Sequence, residues 1–359
     1  MKRPFGFAIL LLTAFHCEAA ASPVGAMQVE KTFNAGIERW NLEMKAAATP
    51  EQRAETAAKR PDATAAARKM WAEIGASLPE EWTLEPAAWF LRVTPGLLRS
   101  QPDGSTKPTF ADEIDDVRAA IIAHHLRSPK LIPVCMALVT TQDPKSLAVL
   151  EKIRTTNPDP KVQGVAALAE AMLLKNSADS PEIMRRRLTC LRKAIVDSSD
   201  VDLGGVSVAQ LAEDELHVIL HLTKGRVAPD LSGFDSGGRP MKLSDFTGKV
   251  VMLVFWSSKD PEAGRLVEMA NEWVTKFADR PVVVIGVNHD DRKTLRELEE
   301  SQVLFRNFSD PGKDLAKEYR VGTWPLVYVL GKDRVIGYSG APGSFAELSA
   351  EAMLAGTQP

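Results

Sequence analysis

The side chains with the greatest chemical reach in this 359-residue chain are three cysteines, Cys17, Cys135 and Cys190, and six histidines. Redox exchange between thiols needs two sulfurs held close. The usual device is C-x-x-C at a helix N-terminus, where the dipole lowers the attacking thiol's pKa. No two of these cysteines are spaced that way. Cys135 and Cys190 each sit in an apolar helical run, IPVCMALV and RRLTCLRKAIV, and read as buried thiols. A disulfide between them is the alternative that an oxidising compartment would permit. His124 and His125 are adjacent, so on a helix their rings diverge. His217 and His221 share a helix face, but no further ligands are evident, and neither a metal nor a cofactor is expected. His289-Asp290-Asp291 follows a strand-like run, where the acids read as helix caps. Asp260-Pro261 reads the same way, an acid at the N-cap before proline in the first turn.

Other chemistries have no foothold. The chain carries no G-x-G-x-x-G after a strand, no Walker A loop and no G-x-S-x-G. A formal charge of −3 and a pI near 6.1 give no footprint for nucleic acid. Arg185-Arg186-Arg187 with Arg192-Lys193 is a basic cluster that reads as a solvated helix face.

The elements that must position these residues begin with an address. Lys2 and Arg3 precede an apolar run from Phe5 to Phe15, and Ala19-Ala20-Ala21 supplies small residues for cleavage. Residues 1–21 therefore read as a signal peptide, which would remove Cys17 and export the mature chain to a periplasm or beyond. No later stretch reaches the ~18 continuous apolar residues of a membrane span.

Residues 22–223 read as an α-helical, repeat-like domain, helical throughout from Met27 to His221. Ser128-Pro129, Asp143-Pro144, Asp159-Pro160 and Ser180-Pro181 each place a capping side chain before a proline, marking four helix starts. Trp40, Trp71, Trp82, Trp89 and Phe90 fall at helical spacings and read as core. Near Lys224 the texture changes to glycine and proline. Beyond it, Val250–Trp256 and Pro281–Val287 are dense in β-branched and apolar residues, as buried parallel strands are. A helix with Leu266, Met269, Ala270 and Trp273 on one face lies between them. A second helix follows to about Ser301, then strands Leu326–Leu330 and Arg334–Tyr338, then a helix over Phe345–Leu354. This β-α-β-α-β-β-α order makes residues 224–359 a thioredoxin-like α/β fold, so the chain is an α-helical domain followed by an α/β one.

The stretches GRVAPDLSGFDSGGRPMKLSDFTGKVVMLVFW, PVVVIGVNHDD and FSDPGKDLAKEYRVGTWPLVYVLGKDRVIGYSG carry a resemblance. Together, over residues 225–340, they resemble the TlpA/redoxin branch of the thioredoxin superfamily, close to the AhpC/TSA peroxiredoxins. The preceding DPKVQGVAALAEAML and VDLGGVSVAQLAEDELHVILHL resemble a bacterial group that joins a helical region to such a domain. The resemblance implies a C-x-x-C just after the first core strand. Asp260 stands where its nucleophilic cysteine would be and Ala263 where the resolving one would be. Val254 replaces a buried acid that family members use to move the resolving thiol's proton. It also implies that Trp324-Pro325 is the cis-proline loop, which in the family pairs with an extended segment of substrate.

Two functions follow as expectations. One is a redox-inactive module that binds an extended peptide or protein partner, with Trp256, Pro261, Trp324 and Pro325 around the groove. The other is a thiol–disulfide oxidoreductase or antioxidant enzyme, which would have to use Cys135 and Cys190.

Overall fold

The computed structural model describes residues 22–101, 104–175 and 180–356. The signal-peptide reading of residues 1–21, and Cys17 with it, lies outside them. The chain divides into two compact units, Met1–Ala212 and Glu213–Pro359.

The first unit is built of helices: α1 (Pro23–Ala46), α2 (Pro50–Ala58), α3 (Ala63–Ile74) and α4 (Leu84–Val93), then α5 (Ala111–Ala120), α6 (Ile132–Thr140), α7 (Pro144–Thr156), α8 (Pro160–Leu174) and α9 (Pro181–Ser198). Each marked start is capped as its sequence implies. Ser128, Asp143, Asp159 and Ser180 accept from the amides of Lys130, Lys145, Lys161 and Ile183. Helix α8 is the most buried, apolar on nearly every face, and α6, α7 and α9 pack on it. Trp89 and Phe90 are core, while Trp40, Trp71 and Trp82 are half-buried.

Two readings are corrected here. The unit is not helical throughout, because β1 (Leu98–Ser100) and β2 (Thr106–Pro108) form an exposed antiparallel hairpin. Gly104 closes it at φ +81°, a conformation that breaks helical periodicity. The arginine cluster is not simply a solvated face either. Arg186 turns inward to ion-pair with Glu170, itself 0% exposed, and Arg187 is 5% exposed. Burying Glu170 is tolerable because Arg154 pairs with it as well, at 2.8 Å.

Helix α10 (Val208–His217) leads into the second unit through a π-helical turn, Val218–Leu222. Leu222 is buried in the second unit's core and His217 Nε2 lies 3.0 Å from the Glu318 carbonyl. These helical turns thus belong to the second unit, although the composition changes only at Lys224.

That unit opens with a hairpin, β3 (Ser232–Phe234) and β4 (Pro240–Lys242). It continues as β5 (Val250–Trp256), α11 (Ala263–Lys276), β6 (Val282–Asn288), α12 (Arg292–Ser301), β7 (Arg306–Ser309), α13 (Asp314–Glu318), β8 (Leu326–Leu330), β9 (Ile336–Gly340) and α14 (Ser344–Leu354). The five-stranded sheet runs β7-β6-β5-β8-β9, parallel from β5 through β7 and antiparallel from β5 through β9. This is the thioredoxin-like α/β arrangement, with β3–β4, β7 and α13 added to the elements read from sequence. Strand β5 is buried along its whole length. Strand alternation sends Met252, Val254 and Trp256 to one face, with α11 and α14, and Val251, Leu253 and Phe255 to the other, with Tyr319 and Tyr328.

Candidate functional site

The loop between β5 and α11 is short and heavily hydrogen-bonded. Asp260 accepts from the Ser257 amide at 3.1 Å through Oδ2, and its own N–H donates to the Ser257 carbonyl at 3.2 Å. Helix α11 starts only at Ala263, with Glu262 at the N-cap and no side-chain cap bond. Asp260-Pro261 therefore does not cap α11. The carboxylate is spent on closing the loop back onto the strand end, and Pro261 lies exposed in a turn before the helix.

A second carboxylate holds the same loop from beneath. Asp290, 0% exposed, accepts from the Ser257 hydroxyl at 2.7 Å, the Ser258 amide at 2.7 Å and the Asn288 side-chain amide at 3.0 Å. Burial alone would raise its pKa. The donors from Ser258, Ser257 and Asn288 prevail and hold it below the ordinary carboxylate range. Sequence reading took Asp290 and Asp291 together as caps. Only Asp291 caps α12, accepting from the Thr294 amide, while Asp290 ties the ends of β5 and β6 together. Its one sequence signal was an Asn-His-Asp-Asp run after a fully apolar strand.

Val254 is 0% exposed and lies in the apolar core between Gly286 and Val327, so nothing ionisable stands at that point of β5. Ala263 is buried as the first residue of α11. No cysteine occurs after Cys190.

The Trp324–Pro325 peptide bond is cis, as the resemblance implies. Trp324 is half-buried, its ring edge-on to His289 at 4.5 Å, with the Lys313 ammonium 5.2 Å from its centroid. With Pro325 it forms one wall of a groove of about 830 Å³. Residues of α11 and of the β9–α14 connection line it as well. Two residues placed here by sequence reading lie elsewhere. Trp256 is 1% exposed and does not line the groove; its indole N–H donates to Asn307 Oδ1 at 2.9 Å and its ring packs near Phe305. It shares the core face of β5 with Val254, so strand alternation denies it the surface. Pro261 is not a lining residue, although its neighbour Glu262 is. Sequence reading missed the glutamates of α11 and the Ala341-Pro342 turn, which do line it.

Cys135 and Cys190 are both free, so the disulfide considered for them is absent. Their helices, α6 and α9, each pack on α8, and the Cys190 thiol interacts with Glu170 of that helix. Burial pushes both thiols up to about 12, with the Glu170 carboxylate adding to the shift at Cys190. Neither is equipped as a nucleophile. The His217 and His221 rings lie 4.9 Å apart at a tilt of 51°, and no cluster of three or more metal-ligating side chains occurs among the described residues.

Residues 224–339 match the AhpC/TSA family model. Chloroplastic peroxiredoxin Q from Oryza sativa subsp. japonica is 31% identical over 126 residues, covering 33% of this chain and 58% of that protein. Thiol-disulfide oxidoreductase ResA from Bacillus thuringiensis subsp. konkukian is 27% identical over 111 residues, covering 30% of this chain and 64% of that protein. The chain thus spans less than two thirds of either relative. Among solved structures, the thioredoxin domain of a thiol-disulfide oxidoreductase from Bacteroides vulgatus aligns at 23% identity with a TM-score of 0.34, over 37% of this chain and 99% of that one. The second unit is thioredoxin-like in fold and matches the AhpC/TSA family model, and a helical domain precedes it. Among the described residues no helix is long and apolar enough to cross a membrane.

Proposed function

We propose that this is an exported protein whose redoxin domain binds extended peptide or protein segments and performs no thiol–disulfide exchange. One observation carries the reading: the groove wall at Trp324-Pro325 is kept while both cysteine positions are lost. Asp260 is committed to the Ser257 amide, Ala263 is buried, and the groove beside Trp324-Pro325 stays open. A carboxylate cannot form a disulfide, and the acid position is occupied by Val254 in an apolar core. Peptide binding by backbone pairing at such a loop needs no sulfur. Strand β8 begins at Leu326, so the backbone of Thr323 and Trp324 lies outside the sheet ladder and can meet a guest strand. Export is supported by the basic, apolar and small-residue pattern of residues 1–21. The oxidoreductase reading is disfavoured by two buried thiols of high pKa in the other unit.

The test is dithiothreitol-driven insulin reduction by the wild-type chain beside an Asp260→Cys/Ala263→Cys variant. The wild type is expected to be inert and the variant to gain turnover. Turnover by the wild type that disappears with Cys135→Ser or Cys190→Ser would replace this reading with the enzymatic one.

A further inference from the structure

We infer that the guest of the cis-proline groove is an extended, cationic segment with lysine or arginine at alternate positions, an inference that rests on the peptide-binding reading above. The walls are unequal in charge. No charged residue lines the groove from the Trp324-Pro325 or Ala341-Pro342 side, where the Lys313 ammonium lies 5.2 Å from the Trp324 ring, whereas the α11 side presents Glu262, Glu268 and Glu272 with Arg265 as the one cation among the lining residues. Arg265 leans toward Glu262, at 3.9 Å. Among the described residues no ion pair engages Glu268 or Glu272, and both are exposed. Beside these acids α11 also contributes apolar lining, with Leu266 2% exposed and Met269 half-buried.

The spacing selects the guest's conformation. Glu268 and Glu272 stand four residues apart on a helix, a rise of about 6 Å. Alternate side chains of an extended chain stand about 6.6 Å apart on one face. Two cations at i and i+2 therefore meet the two glutamates together, while the intervening side chain turns to the wall made by Trp324 and Pro325. An acidic segment in the same pose would bring like charges together beside apolar lining, which disfavours it.

The experiment measures fluorescence anisotropy of short labelled peptides with the full-length chain at low salt. Three peptides share one apolar frame and carry lysine, glutamine or glutamate at alternate positions. The lysine peptide is expected to bind about three- to ten-fold more tightly than the glutamine peptide, the range two exposed charge pairs supply. The glutamate peptide is expected to bind most weakly. Raising the salt should erase the difference. Glu268→Gln/Glu272→Gln should bring the lysine peptide to the affinity of the glutamine peptide. Trp324→Ala should weaken both alike. Equal binding of lysine and glutamine peptides to wild type, unmoved by the double variant, would overturn the inference and leave the peptide site standing. If no peptide binds wild type, the peptide-binding reading fails, and the inference fails with it.

Discussion

Asp290 and Asp310 are buried carboxylates, each just beyond the end of a parallel strand, and their surroundings drive them in opposite directions. At Asp290 burial is outweighed by donors from Ser258, Ser257 and Asn288, and the pKa is lowered. At Asp310 burial outweighs the amides of Ala316, Leu315 and Asp314, the Asp314 charge adds to it, and the pKa is raised. The linkage consequences have opposite signs. A lowered native pKa means that the unfolded chain takes up its proton first. The stability Asp290 contributes is therefore complete above the unfolded value of 3.8 and drains as pH falls below it, through the native value. A raised native pKa works the other way. The contribution of Asp310 is complete below 3.8 and is lost as pH climbs through the raised value. Asp290→Asn removes the charge and turns one of the two acceptor oxygens that serve Ser257, Ser258 and Asn288 into a donor, and should cost about 1–3 kcal/mol near neutral pH. It should also flatten the acid limb of stability, whereas Asp310→Asn should remove the opposing drift. Urea titrations of the full-length chain from about pH 7 down to pH 3 measure both. An unchanged acid limb in Asp290→Asn would assign acid sensitivity to other groups.

Elements were legible where their determinants are local. The Ser-Pro and Asp-Pro starts of the helical unit are capped by the residues that mark them, because an N-cap bond spans only two or three residues. Strands β5 and β8 match the apolar runs Val250–Trp256 and Leu326–Leu330, because both are central and covered on both faces. Strand β7 was not legible. Arg306–Ser309 is short and mostly polar, and it is held by distant partners: Phe308 in the core, and Asn307 bonded to the Trp256 indole and the Glu299 carboxylate. The site divides in the same way. The cis-proline loop and the missing cysteines are local facts, while the link from Asp290 to Ser257 is made only when β5 and β6 pair. Gly286 is another such residue, since a Cβ there would fall 1.7 Å from Asn307 Oδ1 and 2.8 Å from Trp256 Nε1. The β6–β7 ladder tolerates only glycine at that point. Gly286→Ala is therefore expected to destabilise the second unit by about 1–3 kcal/mol through overpacking of a buried polar contact. Hydrogen exchange should show the loss in β6 and β7 while α8 of the other unit keeps its protection. Unchanged protection in β7 would mean that Asn307 repositions at no cost.

Over the whole molecule, the cysteines and the thioredoxin-like fold lie in different units. The second unit carries no cysteine, and beyond the N-terminal segment the thiols, Cys135 and Cys190, lie buried in the helical unit. There Cys135 is 0% and Cys190 3% exposed, and both are pushed up to about 12. At pH 7 a thiol of that pKa is thiolate in only about one molecule in 10⁵, against a few per cent for an ordinary cysteine. Ionisation alone therefore slows alkylation roughly a thousand-fold, and burial adds the requirement that the unit open first. Peptide-resolved mass spectrometry after N-ethylmaleimide treatment should find Cys135 and Cys190 unmodified in the native chain and modified once urea is added. Diamide should yield no Cys135–Cys190 crosslink under native conditions, because the sulfurs sit in α6 and α9 with α8 packed against both helices. The urea dependence of labelling then follows the opening of the helical unit alone, since the second unit has no thiol to report. Rapid native labelling of either cysteine would show a helical unit open enough to expose a thiol, and would return the oxidoreductase reading to contention.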